Sequence, residues 1–231
     1  MLAAALLCQA PAWLIDVALA RTPLRCSDCA GTLWHGRGWL SIRLTQADAS
    51  VRVLPLLPMS WSLGWRDGPA LLIATPEGAG SVQPGWNGLN VHTPAARLSL
   101  KRLAFPAWVD LGALAGEASL APATLTCRYA GVCEGSLSFR VRGIAARIFA
   151  GEHLADVSGR LTLDPSGSID GQAVLDGQGA VTGELHFRAQ GQARPAIQGW
   201  LAPTAGASPG LAATIRRLGP AGPRGVNVEF H

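Results

Sequence analysis

From residue 21 onward the chain alternates apolar and polar side chains with a period of two. Leu137, Phe139 and Val141 are interleaved with Ser136, Ser138, Arg140 and Arg142, and Leu161 and Leu163 with Arg160 and Thr162. Leu98 and Leu100 alternate with Arg97, Ser99 and Lys101, and Val181, Leu185 and Phe187 with Thr182, Glu184, His186 and Arg188. Successive side chains of a strand point to opposite faces, so the pattern predicts strands with one buried and one wet face. Turn formers separate them at Thr75-Pro76-Glu77-Gly78, Asp164-Pro165-Ser166-Gly167, Asp176-Gly177 and Ala202-Pro203. A phrase of small or polar residue, Gly, polar residue and Leu recurs at Ala30–Leu33, Glu134–Leu137, Ser158–Leu161 and Thr182–Leu185. Glycine at a strand start permits a bulge or a close backbone approach. Its irregular spacing argues for a curved sheet of similar strands over a fixed-period solenoid. The predicted class is mainly β: a curved antiparallel sheet (open groove, sandwich or partial barrel) with two or three short helices.

Helical spacing is confined to three places. Residues 12–20 read as a short amphipathic helix. Trp108, Leu111 and Leu114 recur at helical spacing between Pro106 and Gly116. The third helix spans Ser208 to Gly219: Ser208 can cap it, Pro209 suits its first turn, and Leu211, Ile215 and Leu218 share a face. Arg216 and Arg217 complement its C-terminal dipole, and a last strand follows from Val226 to Phe230.

Residues 1–20 hold no Lys or Arg and one acid, Asp16. The clean apolar run, Met1 to Leu7, is short of the ~20 residues a membrane span requires, and the positively charged start of a secretory signal is missing. The favoured expectation is a truncated membrane anchor over residues 1–20, with an N-terminal apolar helix as the alternative. Residues 21–231 then form a periplasmic β-rich domain of two similar halves, about 21–105 and 117–231.

Composition narrows the class further. Hydrophobic residues make up 48% and charged residues 15%, which excludes intrinsic disorder. The 28 Gly and 16 Pro do not suit a helical bundle. The net charge of +4 is spread along the chain in ones and twos, so no nucleic-acid partner is expected. Cys26 and Cys29, and Cys127 and Cys133, form two local pairs, with Cys8 apart. They read either as two disulfides of an oxidising compartment or as free buried thiols. Neither pair has the context of a zinc site or of a thioredoxin-like motif.

Catalytic signals are sparse. The five histidines show no metal spacing, and no nucleophile elbow, P-loop or dinucleotide fingerprint occurs. His186 falls on the polar phase of its strand and reads as solvated. Glu152, Asp156, Asp164, Asp170 and Asp176 sit at turn-like positions and read as turn formers. No catalytic, metal or cofactor site is expected. Trp34, Trp39, Trp61, Trp65 and Trp86 crowd the first half. Core packing is the preferred reading for them, ahead of a membrane-interface belt and a carbohydrate platform.

Three ordered segments carry a resemblance. Gly31, Thr32, Leu33, Trp34 and Gly36 form the first; Leu56 to Leu63, around Trp61, the second. The third runs through Leu201, Pro203, Pro209, Leu211, Ile215, Leu218 and Gly219 to the strand ending at Phe230. Together they resemble protein N of the bacterial type II secretion system, general secretion pathway protein N, and through it the AsmA-like group of curved β-sheet proteins. The resemblance implies a non-enzymatic accessory component that aids export of folded proteins from the periplasm. It implies anchorage in the inner membrane through the N-terminal segment, with the bulk of the chain facing the periplasm. Its partners would be other inner-membrane subunits of the apparatus. A second reading is a periplasmic groove that binds lipid or another hydrophobe. In the family the anchor is longer and follows basic cytoplasmic residues, and the two cysteine pairs are not part of its general pattern.

Overall fold

The computed structural model describes residues 10–18, 24–45, 51–65, 68–100, 114–129, 132–149, 151–190 and 196–230. The strands are β1 (Leu24–Gly31), β2 (His35–Thr45), β3 (Val51–Trp65), β4 (Pro69–Thr75), β5 (Gly78–Pro84), β6 (Gly88–Thr93), β7 (Ala96–Ser99) and β8 (Leu114–Leu120). They continue as β9 (Ala123–Arg128), β10 (Cys133–Ala146), β11 (His153–Leu163), β12 (Ser168–Asp176), β13 (Val181–Gln190), β14 (Ala196–Pro203) and β15 (Val226–Phe230). Two helices, α1 (Leu14–Ala18) and α2 (Pro209–Arg217), and a 3-10 turn at Arg147–Phe149 complete the described elements.

All fifteen strands belong to one antiparallel sheet. Its register shows a plain meander. β6 pairs β9 through Thr93↔Ala123, and β7 pairs β8 through Ala96↔Leu120, so the two pairs are one continuous ladder. Pro94 and Pro122 interrupt it from opposite sides, because proline has no N–H to donate. β8 and β9 then lie end to end along β10. With β6–β7 and β8–β9 each taken as one interrupted strand, every strand pairs with its neighbours in sequence, and the outer strands β1 and β15 do not meet. The sheet is antiparallel, as the alternation predicts, and of the three arrangements left open by the sequence it takes the open one.

Register also aligns the apolar positions into rows. One row runs Leu137, Leu161, Gly171, Phe187, Ile197 and Phe230 across six strands. The next runs Phe139, Gly159, Ala173, Leu185, Gly199 and Val228. At several points in these rows a large side chain meets a minimal one on the adjacent strand, as at Phe187↔Gly171 and Phe139↔Gly159. A Cβ on Gly171 would fall inside the Phe187 ring, and one on Gly159 would strike Phe139. Each ring therefore lies over the bare backbone of the adjacent strand. α2 covers only one end of this face, where Leu211 and Ile215 pack on Val181, Val226 and Val228. Ser208 caps α2 in the predicted manner, its hydroxyl accepting from Leu211 N–H at 3.4 Å.

Several expectations need correction. Leu114 and Gly116 lie in β8, paired with β10, where helical spacing suggested the end of a helix. A seven-residue strand paired on both sides of a bulge opposite Gly116 outweighs a short helix, whose own nucleation is costly. The rest of that segment lies outside the described residues, as do Cys8 and most of the predicted anchor. Ala202 and Pro203 end β14 and do not form a separate turn. Trp65 is 80% exposed and Trp86 98% exposed, so the core reading fails for both. They sit where strands end in turns and no neighbouring strand covers them. Among the described residues no helix is long and apolar enough to cross a membrane.

The ring-over-glycine packing is testable. Gly171→Val should displace the Phe187 ring and lower unfolding stability by about 1–3 kcal/mol, measured by urea denaturation.

Candidate functional site

The first two segments singled out in the sequence form one unit. Gly31, with φ +104°, starts the tight turn between β1 and β2. Within that turn Thr32 N–H donates to His35 carbonyl at 2.8 Å, and the Thr32 hydroxyl accepts from His35 N–H at 3.1 Å. Trp61, only 3% exposed, lays its ring over Gly36 and donates its indole N–H to the Thr32 carbonyl at 3.0 Å. Leu33 and Trp34 are half-buried in the same turn, and Leu33 N–H donates to the Ala10 carbonyl at 2.7 Å. The C-terminal segment is equally structural. Pro203 pairs with Val181, Leu211 is buried, and the Gly219 backbone lies against the Asn227 carbonyl, where a Cβ would collide. Ser208 donates its N–H and hydroxyl to the Glu152 carboxylate at 2.9 and 2.7 Å, tying α2 to the β10–β11 connection. Leu218, half-exposed at the end of α2, and Pro209 frame the helix.

The cysteines close two local links. Cys127 and Cys133 face each other across β9 and β10 with Cα atoms 3.9 Å apart and are joined as a disulfide. Cys26 and Cys29 are joined across a bulge in β1, where Asp28 takes φ +53°, and their sulfurs pack over Gly38.

The wet face carries a feature that the sequence reading missed. A groove of about 680 Å³ crosses it, with Arg97 on β7, Arg140 and Arg142 on β10, and Arg160 on β11. Their cross-strand neighbours are serines: Arg97↔Ser119, Arg140↔Ser119, Arg140↔Ser158 and Arg160↔Ser138. Glu117, opposite Arg142, is the one carboxylate lining the groove. None of the four arginines makes an ion pair with a described carboxylate. On the adjoining strands the same face is self-compensated: Arg188 bonds Asp170 at 2.7 Å, and Gln172 and His186 both reach Glu184. The solvated reading of His186 holds. Alternation placed Arg140, Arg142 and Arg160 on one phase, but only register brings Arg97 beside them.

Asp156 holds the β10 bulge beside Arg142, at the margin of the groove. Its carboxylate accepts from the N–H of Gly143 at 2.8 Å, where φ of +63° marks a bulge in β10 next to Arg142. His153 Nε2 lies 3.0 Å from the same oxygen. The Gly143 hydrogen bond chiefly, then His153 and the nearby Arg142 charge, hold this carboxyl below the usual range. Asp164 is lowered likewise by the Ser166 hydroxyl and N–H within its turn. Among the described residues no three His, Cys, Asp or Glu side chains are placed to hold a metal ion.

The family model for type II secretion system protein N matches residues 22–228, nearly the whole chain. The chain belongs to that family. Protein N is an accessory component of the secretion system, so membership assigns this chain a role in type II secretion and fits the cell envelope. No curated protein and no solved structure matches the chain.

Two outcomes check the site. Trp61→Ala removes both the cover of Gly36 and the bond to Thr32, and should cost about 3–5 kcal/mol in thermal or urea unfolding. Asp156 should titrate by NMR below an ordinary aspartate. A carboxyl held low in the folded state adds stability that is present above about pH 4 and drains away as pH falls through the lowered value. Asp156→Asn should flatten that part of the stability profile.

Proposed function

We propose that the protein is a non-enzymatic accessory component of the type II secretion system at the inner membrane, facing the periplasm. It acts in the export of folded proteins by contact with other inner-membrane subunits. The observation that carries this reading is the arginine groove. Four guanidinium groups on one sheet face, flanked by serines and offset by a single glutamate, form a surface short of negative charge. Like charges crowded on one face of a sheet repel one another, and an acidic segment of a partner polypeptide would relieve that repulsion. Arginine suits the role because its planar fork binds carboxylates in a bidentate manner.

A second reading, a groove for lipid or another hydrophobe, draws on the opposite face. Leu137, Phe139, Leu161, Leu185 and Phe187 are only half-buried there, and apolar side chains left without a second layer offer a surface for acyl chains.

Co-purification with the other inner-membrane subunits separates the two. Arg140→Glu/Arg160→Glu should reduce recovery of the partner subunit at least about tenfold, and wild-type recovery should fall as salt rises. Unchanged recovery by the charge-reversed protein, with lipid co-purifying in native mass spectrometry, would favour the second reading.

A further inference from the structure

In a meander, alternate turns fall at the same end of the sheet. The turns after β1, β3, β5, β9 and β11 therefore share one rim, and the first four form an aromatic stretch of it. Trp34 lies in the first, Trp65 closes β3, Trp86 is at the tip between β5 and β6, and Tyr129 follows β9. Backbone bonds from Ala12 N–H to Gly31 carbonyl, and from Leu33 N–H to Ala10 carbonyl, bring Trp13 to this end as well. The rim thus gathers four of the eight Trp and the single Tyr of the chain. Register levels Trp65, Trp86 and Tyr129 through Trp65↔Pro69, Leu71↔Val82, Pro84↔Leu89 and Leu89↔Cys127, while the β1–β2 turn with Trp34 is set back beside Leu63. The Tyr129 hydroxyl donates to the Gly85 carbonyl at 3.1 Å, tying two of the turns together. At ~4.8 Å per strand the row extends for about 30 Å.

All of these but the half-buried Trp34 face solvent. Trp86 is 98%, Trp65 80%, Tyr129 66% and Trp13 59% exposed. A single exposed aromatic is ordinary, whereas a contiguous set marks an interaction site. The turn chemistry singles out this stretch of the rim. Residues 32–34, 85–88 and 129–132 contain no ionisable side chain except the Tyr129 phenol, and Arg66-Asp67 after Trp65 is neutral overall. On the same rim the apolar stretch ends at the turn after β11, which carries Asp164, and turns at the opposite end carry Glu77 and Asp176. Binding energy in a protein partner's pocket concentrates in a compact central cluster. A line of tips meets a plane. Trp and Tyr, with an apolar ring and one polar group each, are the side chains enriched where lipid meets water. Residues 1–9 carry no charge, and the described chain takes over from them at Ala10 on this same rim.

We propose that the rim is a membrane-docking edge, with Trp65, Trp86 and Tyr129 seated at the headgroup–acyl boundary of a lipid bilayer and Trp13 beside them. The turns of the folded domain then hold the sheet edge-on to the bilayer, with α2 at the far end. This contact is separate from the arginine groove and from any anchoring by residues 1–9.

The test uses the full chain with vesicles of phosphatidylethanolamine and phosphatidylglycerol. Trp65→Ser/Trp86→Ser/Tyr129→Ser should weaken vesicle partitioning about tenfold or more. Its unfolding midpoint should stay close to wild type, since the three side chains are exposed. With bromine-labelled acyl chains, wild-type tryptophan emission should be quenched. Trp86→Phe should lose part of the quenched emission while binding vesicles within about twofold of wild type. Equal partitioning of the triple variant, or quenching unchanged in Trp86→Phe, would overturn the proposal. So would a triple variant that fails to support secretion yet binds vesicles as wild type does, which would give the rim to a protein partner.

Discussion

A sheet with no second layer over most of its area must cover its apolar side chains from within. Here the cover comes from the neighbouring strand. Phe139 lies over Gly159, Phe187 over Gly171 and Trp61 over Gly36, each aromatic ring shielding a backbone that carries no side chain of its own. The missing Cβ is what lets the ring lie flat, and the ring removes the backbone beneath it from water. This pairing makes the single layer tenable. It also leaves both faces and one rim within reach of other molecules, which a two-layer sandwich would not.

That division orders the rest of the molecule. The segments that resemble protein N serve the layer: Thr32, Gly36 and Trp61 lock one end, and Leu211, Ile215, Val226 and Val228 close the other. The surfaces suited to contact lie between them. Serine-flanked arginines occupy the wet face, half-covered leucines and phenylalanines the dry one, and tryptophans the turn tips. Family likeness and contact chemistry therefore rest on different residues, the first on packing and the second on what packing leaves outside.

Strand positions, the α2 cap and the antiparallel β class were legible because period-two alternation and turn residues act locally, whereas whether the sheet closes depends on its outer strands and was not. The ring-over-glycine pairs were not, since they join residues on different strands and depend on register. The same limit hid the arginine groove, because Arg97 stands 43 positions before Arg140 in sequence. Trp61 and Trp65 look alike in sequence, both on the apolar phase of one long strand. β3 runs past the β1–β2 turn, however, so Trp61 is covered and Trp65 is not. The segment ending at Gly116 showed helical spacing, but the β10 ladder claimed its last residues.

The meander has a consequence for how such a chain can be built and altered. Each strand depends only on the two beside it in sequence, so cooperativity runs along one dimension, as in repeat proteins. A nascent chain can zip strand by strand in the order it emerges, without waiting for a distant partner. Whole hairpins can be gained or lost in evolution without rewiring what remains, and the length of the layer becomes a free variable.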